Sequence, residues 1–203
     1  MPLGAHKAAI MGVSGVSTGD VVLIQSQTAD GDASVTFDSN IDSTYGEYIF
    51  GFYNINPSAN GSSINMQCNV AGGADYNETI TSTSFKAVHT DDNSTAYGGT
   101  GTLSYDTTND QAQGTAVQRI IWANHNAASA VAVGFLHIFN PSNTTYVKHF
   151  IATSQAIDST SPAYSTNSFI SGYVNVTGAI DDIKFSSTEG TFDGTIKLWG
   201  VKN

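Results

Sequence analysis

Positive charge is scarce in this chain: Lys and Arg number seven against seventeen Asp and Glu, the formal net charge is −10, and no basic cluster interrupts it. Nucleic-acid backbones and anionic membrane surfaces are held by concentrated Lys and Arg, so neither class of partner is expected. Cysteine is almost absent. Cys68 is the single one, which excludes an internal disulfide. In Ile64-Asn-Met-Gln-Cys-Asn-Val70 it shares a strand face with Ile64, Met66 and Val70, and so reads as a buried free thiol. No run approaches the roughly 18 to 20 apolar residues a spanning helix needs, so membrane insertion is not expected either. The apolar stretch between Gly4 and Val16 is broken by Gly and Ser and does not read as a secretory signal. Charged residues make up only 12% of the chain, fewer than exposed helical faces usually carry, and no amphipathic helical period emerges.

What fills the place of charge is Ser, Thr, Asn, Gln and Gly, the residues of turns and solvated strand faces. A chain of 203 residues suits one all-β domain, large enough to bury roughly 70% of its unfolded surface. Short apolar runs recur at Val21–Ile24, Val35–Phe37, Tyr48–Ile55, Ile64–Val70, Phe85–His89, Gly101–Tyr105, Val117–Trp122, Val131–Phe139, Tyr146–Ile151 and Phe169–Val176. Ala29-Asp-Gly-Asp32 reads as a hairpin turn between the first two runs, and Asn140-Pro-Ser-Asn143 as another before Tyr146. Asp91 to Gln113 reads as a surface excursion and Ala156 to Thr166 as a loop.

The chain closes as strand, turn, strand from Ile183 to Val201. After an Asp193-Gly194 corner, Ile196, Leu198 and Gly200 alternate with Thr195, Lys197 and Trp199. About a dozen strands at this spacing predict a jelly-roll-like antiparallel β-sandwich over residues 19–203, preceded by a short N-terminal arm, residues 1–18. Pro2, Pro57, Pro141 and Pro162 all fall outside the expected strands.

Candidate chemistry is thin. Asp38, Asn40 and Asp42 match the start of a calcium loop, but Ser43 stands where the turn glycine belongs and Ile49 where the closing glutamate belongs, so a polar turn is expected. His137 and His149 lie on opposite arms of one expected hairpin without the three or four ligands of a metal site. Nothing pairs Glu47, Glu78, Asp181, Asp182 or Glu189 as a hydrolytic couple, and no nucleophile elbow occurs. Neither a cofactor nor an enzymatic activity is expected. The aromatics are the residues to watch. Trp122 and Trp199 sit beside polar positions, suited to a subunit interface or to a sugar face. Trp199, on the face opposite Ile196 and Leu198, is expected to be covered by another segment or subunit. Tyr48–Ile55 and Val131–Phe139 are apolar on both faces, which a symmetric oligomer would bury.

The opening Pro2-Leu-Gly-Ala-His-Lys-Ala-Ala-Ile-Met-Gly12, Gly46-Glu-Tyr-Ile-Phe50 with Tyr53-Asn-Ile-Asn-Pro57, Leu136-His-Ile-Phe-Asn-Pro-Ser-Asn-Thr-Thr145 and the closing pattern together resemble small virion structural proteins of marine tailed phages, of the cyanophage and pelagiphage type. The resemblance implies a protein of the virion surface, a head decoration or capsid-stabilising protein. A receptor- or glycan-binding module of a tail fibre or tail tip is the alternative. The implied partners are other virion proteins and copies of itself, as a trimer, with a host surface glycan for the alternative. His6, Lys7, Ile10 and Met11 would belong to an anchoring arm.

Overall fold

A computed structural model describes residues 20–94, 101–160 and 163–202. The expected arm, with His6, Lys7, Ile10 and Met11, lies outside the described residues. The strands are β1 (Val21–Asp32), β2 (Ser34–Phe37), β3 (Glu47–Pro57), β4 (Ser62–Val70), β5 (Ile80–Thr90), β6 (Thr102–Tyr105), β7 (Gln118–Asn124), β8 (Ala132–Phe139), β9 (Lys148–Thr160), β10 (Ala163–Val174), β11 (Ile180–Ser187) and β12 (Phe192–Val201). They form an all-β sandwich of two antiparallel sheets. One has eight strands in the order β1-β12-β3-β8-β9-β10-β5-β6, the other four in the order β2-β11-β4-β7.

With β5, β6, β9 and β10 set aside, the remaining strands lie as β1-β12-β3-β8 over β2-β11-β4-β7, and every connection among them except β4 to β7 crosses between sheets. That wrapped order is the jelly roll. The four strands set aside form a wing. β5 and β6 lie between β4 and β7 in the chain, β9 and β10 between β8 and β11, and the wing is joined by the pairing of β5 with β10 from Ile80↔Val174 to Thr90↔Tyr164.

Several local expectations are corrected by this arrangement. β1 and β2 do not form a hairpin: β1 pairs with β12 and β2 with β11. Likewise β11 and β12 lie in opposite sheets, so the closing element is an arch and not a strand pair. Asp193-Gly194 is inside β12, at an irregularity where Gly194 has φ +137° and a Cβ would meet Ile55 Cδ1 at 2.7 Å. The Asp30-Gly31 step is a neighbouring irregularity in β1, with the Gly31 amide donating to Asp193 Oδ1 at 2.7 Å. Ala156–Thr166 is likewise mostly strand, because β9 runs to Thr160 and β10 begins at Ala163. Pro57, expected outside a strand, is the last residue of β3. The β8–β9 hairpin does form, with Phe135 opposite Thr153.

The core lies under the jelly-roll strands. Phe185 packs edge-on against Phe50 and Phe52, each at 5.1 Å between ring centres, and against Phe37 at 6.0 Å. Cys68 is buried beside Met66, and burial, with Glu78 adding to it, pushes its thiol up to about 12. Tyr48 is fully buried and its hydroxyl donates to the Asp42 carbonyl at 3.0 Å while accepting the Asp42 amide at 2.9 Å. Removing such a ring leaves a cavity as well as lost transfer energy. Phe185→Ala is expected to cost about 3–5 kcal/mol, read as a shift of the urea midpoint at constant slope.

Candidate functional site

The eight-stranded sheet is broader than the four-stranded sheet that packs on it, and its two faces differ. Under the wing the inner face is polar: Ser82, Ser84, Ser154, Thr166 and Ser168 are buried there. The segment after β6 covers part of it. Ser82 Oγ donates to Gln118 Oε1 at 2.7 Å, Gln118 Nε2 to the Asn109 carbonyl at 2.9 Å, and the Asp106 amide to the Ser84 carbonyl at 2.8 Å. The described part of the expected surface excursion is thus partly interior, with Asp106 and Asn109 buried.

Trp122 belongs to this inner layer. Lys86 Nζ lies 3.6 Å from the centre of its ring and Arg119 5.2 Å, while Lys86 also pairs with Asp106 Oδ2 at 3.4 Å. Burial raises the Asp106 carboxyl, but the Thr108 hydroxyl and amide, with Lys86, outweigh it and leave it below the ordinary carboxylate range. Trp122 therefore caps a charged cluster inside the fold instead of standing out as a platform.

The outer face of the eight-stranded sheet carries apolar side chains among Thr, Ser and Asn. Every large hydrophobic side chain that is exposed among the described residues lies on it, Val117 and Tyr146 excepted. Register places these residues in rows. One runs Leu23, Trp199, Ile49, His137, Ile151 across β1, β12, β3, β8 and β9. The next runs Lys197, Gly51, Phe135, Thr153, Phe169, Phe85, Tyr105 from β12 to β6. Phe135 is 44% exposed, Ile151 52% and Leu103, on β6, 71%. Phe85 and Phe169 stack at 4.9 Å. The charged side chains within these rows and the adjoining one are Lys197, whose Nζ lies 5.4 Å from the Tyr53 ring centre, and Glu47.

Trp199 sits on this outer face, half-buried, and meets Tyr53 and Gly51 of the neighbouring strand. Its ring meets Tyr53 at 6.2 Å and lies over Gly51, where a Cβ would come within 2.7 Å of Trp199 Cζ3. Trp122 and Trp199 are in different sheets and make no common site. His137 and His149 do stand diagonally on the outer face, but each is engaged: His137 Nδ1 with Glu47 Oε1 at 2.5 Å, and His149 against the Tyr173 ring at 5.9 Å. Among the described residues no group of three or more His, Cys, Asp or Glu could hold a metal ion.

The Asp38–Asp42 segment is turn chemistry. The Thr44 hydroxyl, and the Thr44 amide that donates to Asp42 Oδ1 at 2.8 Å, hold the Asp42 carboxyl below the ordinary range, and Asn40 takes φ +63°.

Two features escaped the sequence reading. Lys148 is fully buried with its ammonium on three carbonyls, those of Tyr146 at 2.8 Å and of Val176 and Thr177 at 3.3 Å each, and burial lowers its pKa. Its signal was parity: it shares a strand face with Phe150 and Ala152. The extent of the outer face was the other, visible only as the two-faced apolarity of β3 and β8.

No family model matches the chain, and no curated protein does. Among solved structures, it is similar to a Bacteroides ovatus protein of unknown function with a TM-score of 0.29 and 6% identity, over 52% of this chain and 45% of that one. It is also similar to the laminarinase catalytic domain of Thermotoga maritima with a TM-score of 0.22 and 8% identity, over 92% and 82% of the two chains. A third likeness, to infectious bursal disease virus strain Gx, has a TM-score of 0.14 and 13% identity, over 90% of this chain and 40% of that one. Likenesses this weak bear on neither activity nor partners.

Asp106→Asn is expected to cost about 1–3 kcal/mol at pH 7, since it weakens the hold on Lys86 in a buried cluster. The depressed carboxyl stabilises the fold fully above about pH 4 and loses that contribution as pH falls through its folded value. Wild type and variant should therefore converge in acid, as measured by urea unfolding from pH 7 down to pH 3.

Proposed function

We propose that this chain is a structural protein of a tailed-phage virion, exposed on the particle surface as a head decoration or capsid-stabilising protein, and that it docks through the outer face of its eight-stranded sheet. One observation carries the docking part: an antiparallel sheet that faces water normally alternates apolar-in with polar-out, and here the outward positions of β1, β3, β8, β9, β10 and β5 carry Leu23, Ile49, Phe135, Ile151, Phe169 and Phe85. Contiguous exposed apolar surface of this extent marks an interaction site. The virion part rests on the sequence resemblance. An acidic surface rich in Ser, Thr and Asn suits a particle exterior, and residues 1–18 would supply a second attachment to neighbouring virion proteins.

A glycan-binding module of a tail fibre is the second reading, favoured by one feature. Thr153, Asn167 and Ser171 place hydrogen-bonding groups among the outer-face rings, a combination that also suits sugar. Virions purified from the phage that encodes this chain are expected to contain it at copy numbers in the hundreds, counted by quantitative mass spectrometry and located on the head by imaging. Its absence from particles would sink the proposal. A few copies at the tail tip, together with glycan-array binding lost on Trp199→Ala, would transfer the function to the second reading.

A further inference from the structure

We infer that the outer sheet face is covered by the same face of a second copy of this chain, as an isologous dimer with one sheet laid on the other. The inference rests on the reading of that face as a docking surface and adds the identity of the occupant. Charge is the first argument. At −10 per chain, two copies repel unless they meet where carboxylates are sparse. The outer rows answer that condition, because the carboxylate they and the adjoining row carry is Glu47, hydrogen-bonded to His137, and the other charge is the cation Lys197. Aromatic enrichment with charge depletion is also the composition of an interface centre.

Area is the second argument. Eight strands at about 4.8 Å spacing are about 34 Å across, and six or so residues of shared length at about 3.4 Å give about 20 Å, so the face offers about 700 Å². Standard interfaces take roughly 600–1,000 Å² from each partner, and the face falls within that range. Twisted sheets of like hand pack face to face about 10 Å apart, which lets Phe135, Ile151 and Phe169, on the adjacent middle strands β8, β9 and β10, interdigitate with their counterparts at the centre of the face. The same face turned inward around a threefold axis would leave mid-sheet backbone about 10 Å from that axis, too far for Thr153 or Ser171 to fill the centre. Two copies bury the face and three do not, which departs from the trimer implied by sequence resemblance.

Sedimentation equilibrium of the full chain tests this, with Phe135→Lys and Ile151→Lys as separate variants and far-UV circular dichroism confirming the sheet in each. Wild type is expected to be a dimer at about 10 µM, and either lysine to raise the dissociation constant at least about 100-fold, given how strongly a buried unpaired charge disfavours an interface. Thr153→Cys places a thiol mid-face, where a bis-maleimide of about 10 Å span should link two chains; Cys68 is buried and serves as the unreactive internal control.

A wild-type monomer at about 100 µM, a trimer, or a dimer indifferent to both lysines would overturn the inference. So would a monomer whose Thr153→Cys thiol resists maleimide, which would give the face to the chain's own first nineteen residues. If the dimer forms but purified virions lack the chain, the inference stands and the virion reading fails. If virions contain it but the free chain is monomeric and Phe135→Lys blocks incorporation, the face belongs to another virion protein and only the inference fails.

Discussion

A sheet of eight strands cannot be covered by a sheet of four, and most of what is distinctive in this molecule follows from that mismatch. The jelly-roll half solves it conventionally, with Phe37, Phe50, Phe52 and Phe185 meeting between the layers. Under the wing a different solution is used. The segment from Asp106 to Gln118 replaces the missing strands, and because it is irregular its backbone groups need partners that strands would have supplied. The Ser82 hydroxyl accepts the Gln111 amide, Gln118 Nε2 donates to the Asn109 carbonyl and the Ser84 carbonyl accepts the Asp106 amide, which is why the wing's inner face is polar where the rest of the core is not.

Two lysines show how buried charge is tolerated in this arrangement. Lys86 lies between a carboxylate and the ring of Trp122, so its charge is balanced by Asp106 and by the ring's negative face. Lys148 has only carbonyl dipoles, from the Tyr146 and Val176–Thr177 backbone, and thereby ties the start of β9 to the connection between β10 and β11. The outer sheet face has one cation, Lys197 near the Tyr53 ring, and otherwise leaves its rows of Phe, Ile and Leu exposed or half-buried, the feature on which the proposed docking rests.

Much of the strand content was legible. Cys68, Met66 and Ile64 read as an inward face and are buried; Ile196, Leu198 and Gly200 likewise. The Asn140–Asn143 turn correctly joined β8 to β9. The same kind of evidence failed at Ala29–Asp32 and at Asp193-Gly194, because a turn signal between two alternating runs is shared by a hairpin and by an arch that carries the chain across the core. Nor does the Asp91–Gln113 composition distinguish a solvated loop from one whose polar groups replace a missing sheet. Trp122 and Trp199 stood out in the sequence as large aromatics next to polar positions. Alternation alone could not say that one faces a lysine inside and the other a glycine on the outer sheet.

By itself, then, the sequence determined the all-β character, the approximate number of strands, the inward parity within each, and the acidic, weakly charged surface. Those properties depend on side-chain alternation and composition, which are local. Only the tertiary structure decided which strands are neighbours, that four of them extend one sheet beyond its partner, and that apolar residues from eight strands gather on one outer face. Adjacency in a jelly roll is set by burial across the sandwich between segments far apart in sequence, and no local pattern encodes it.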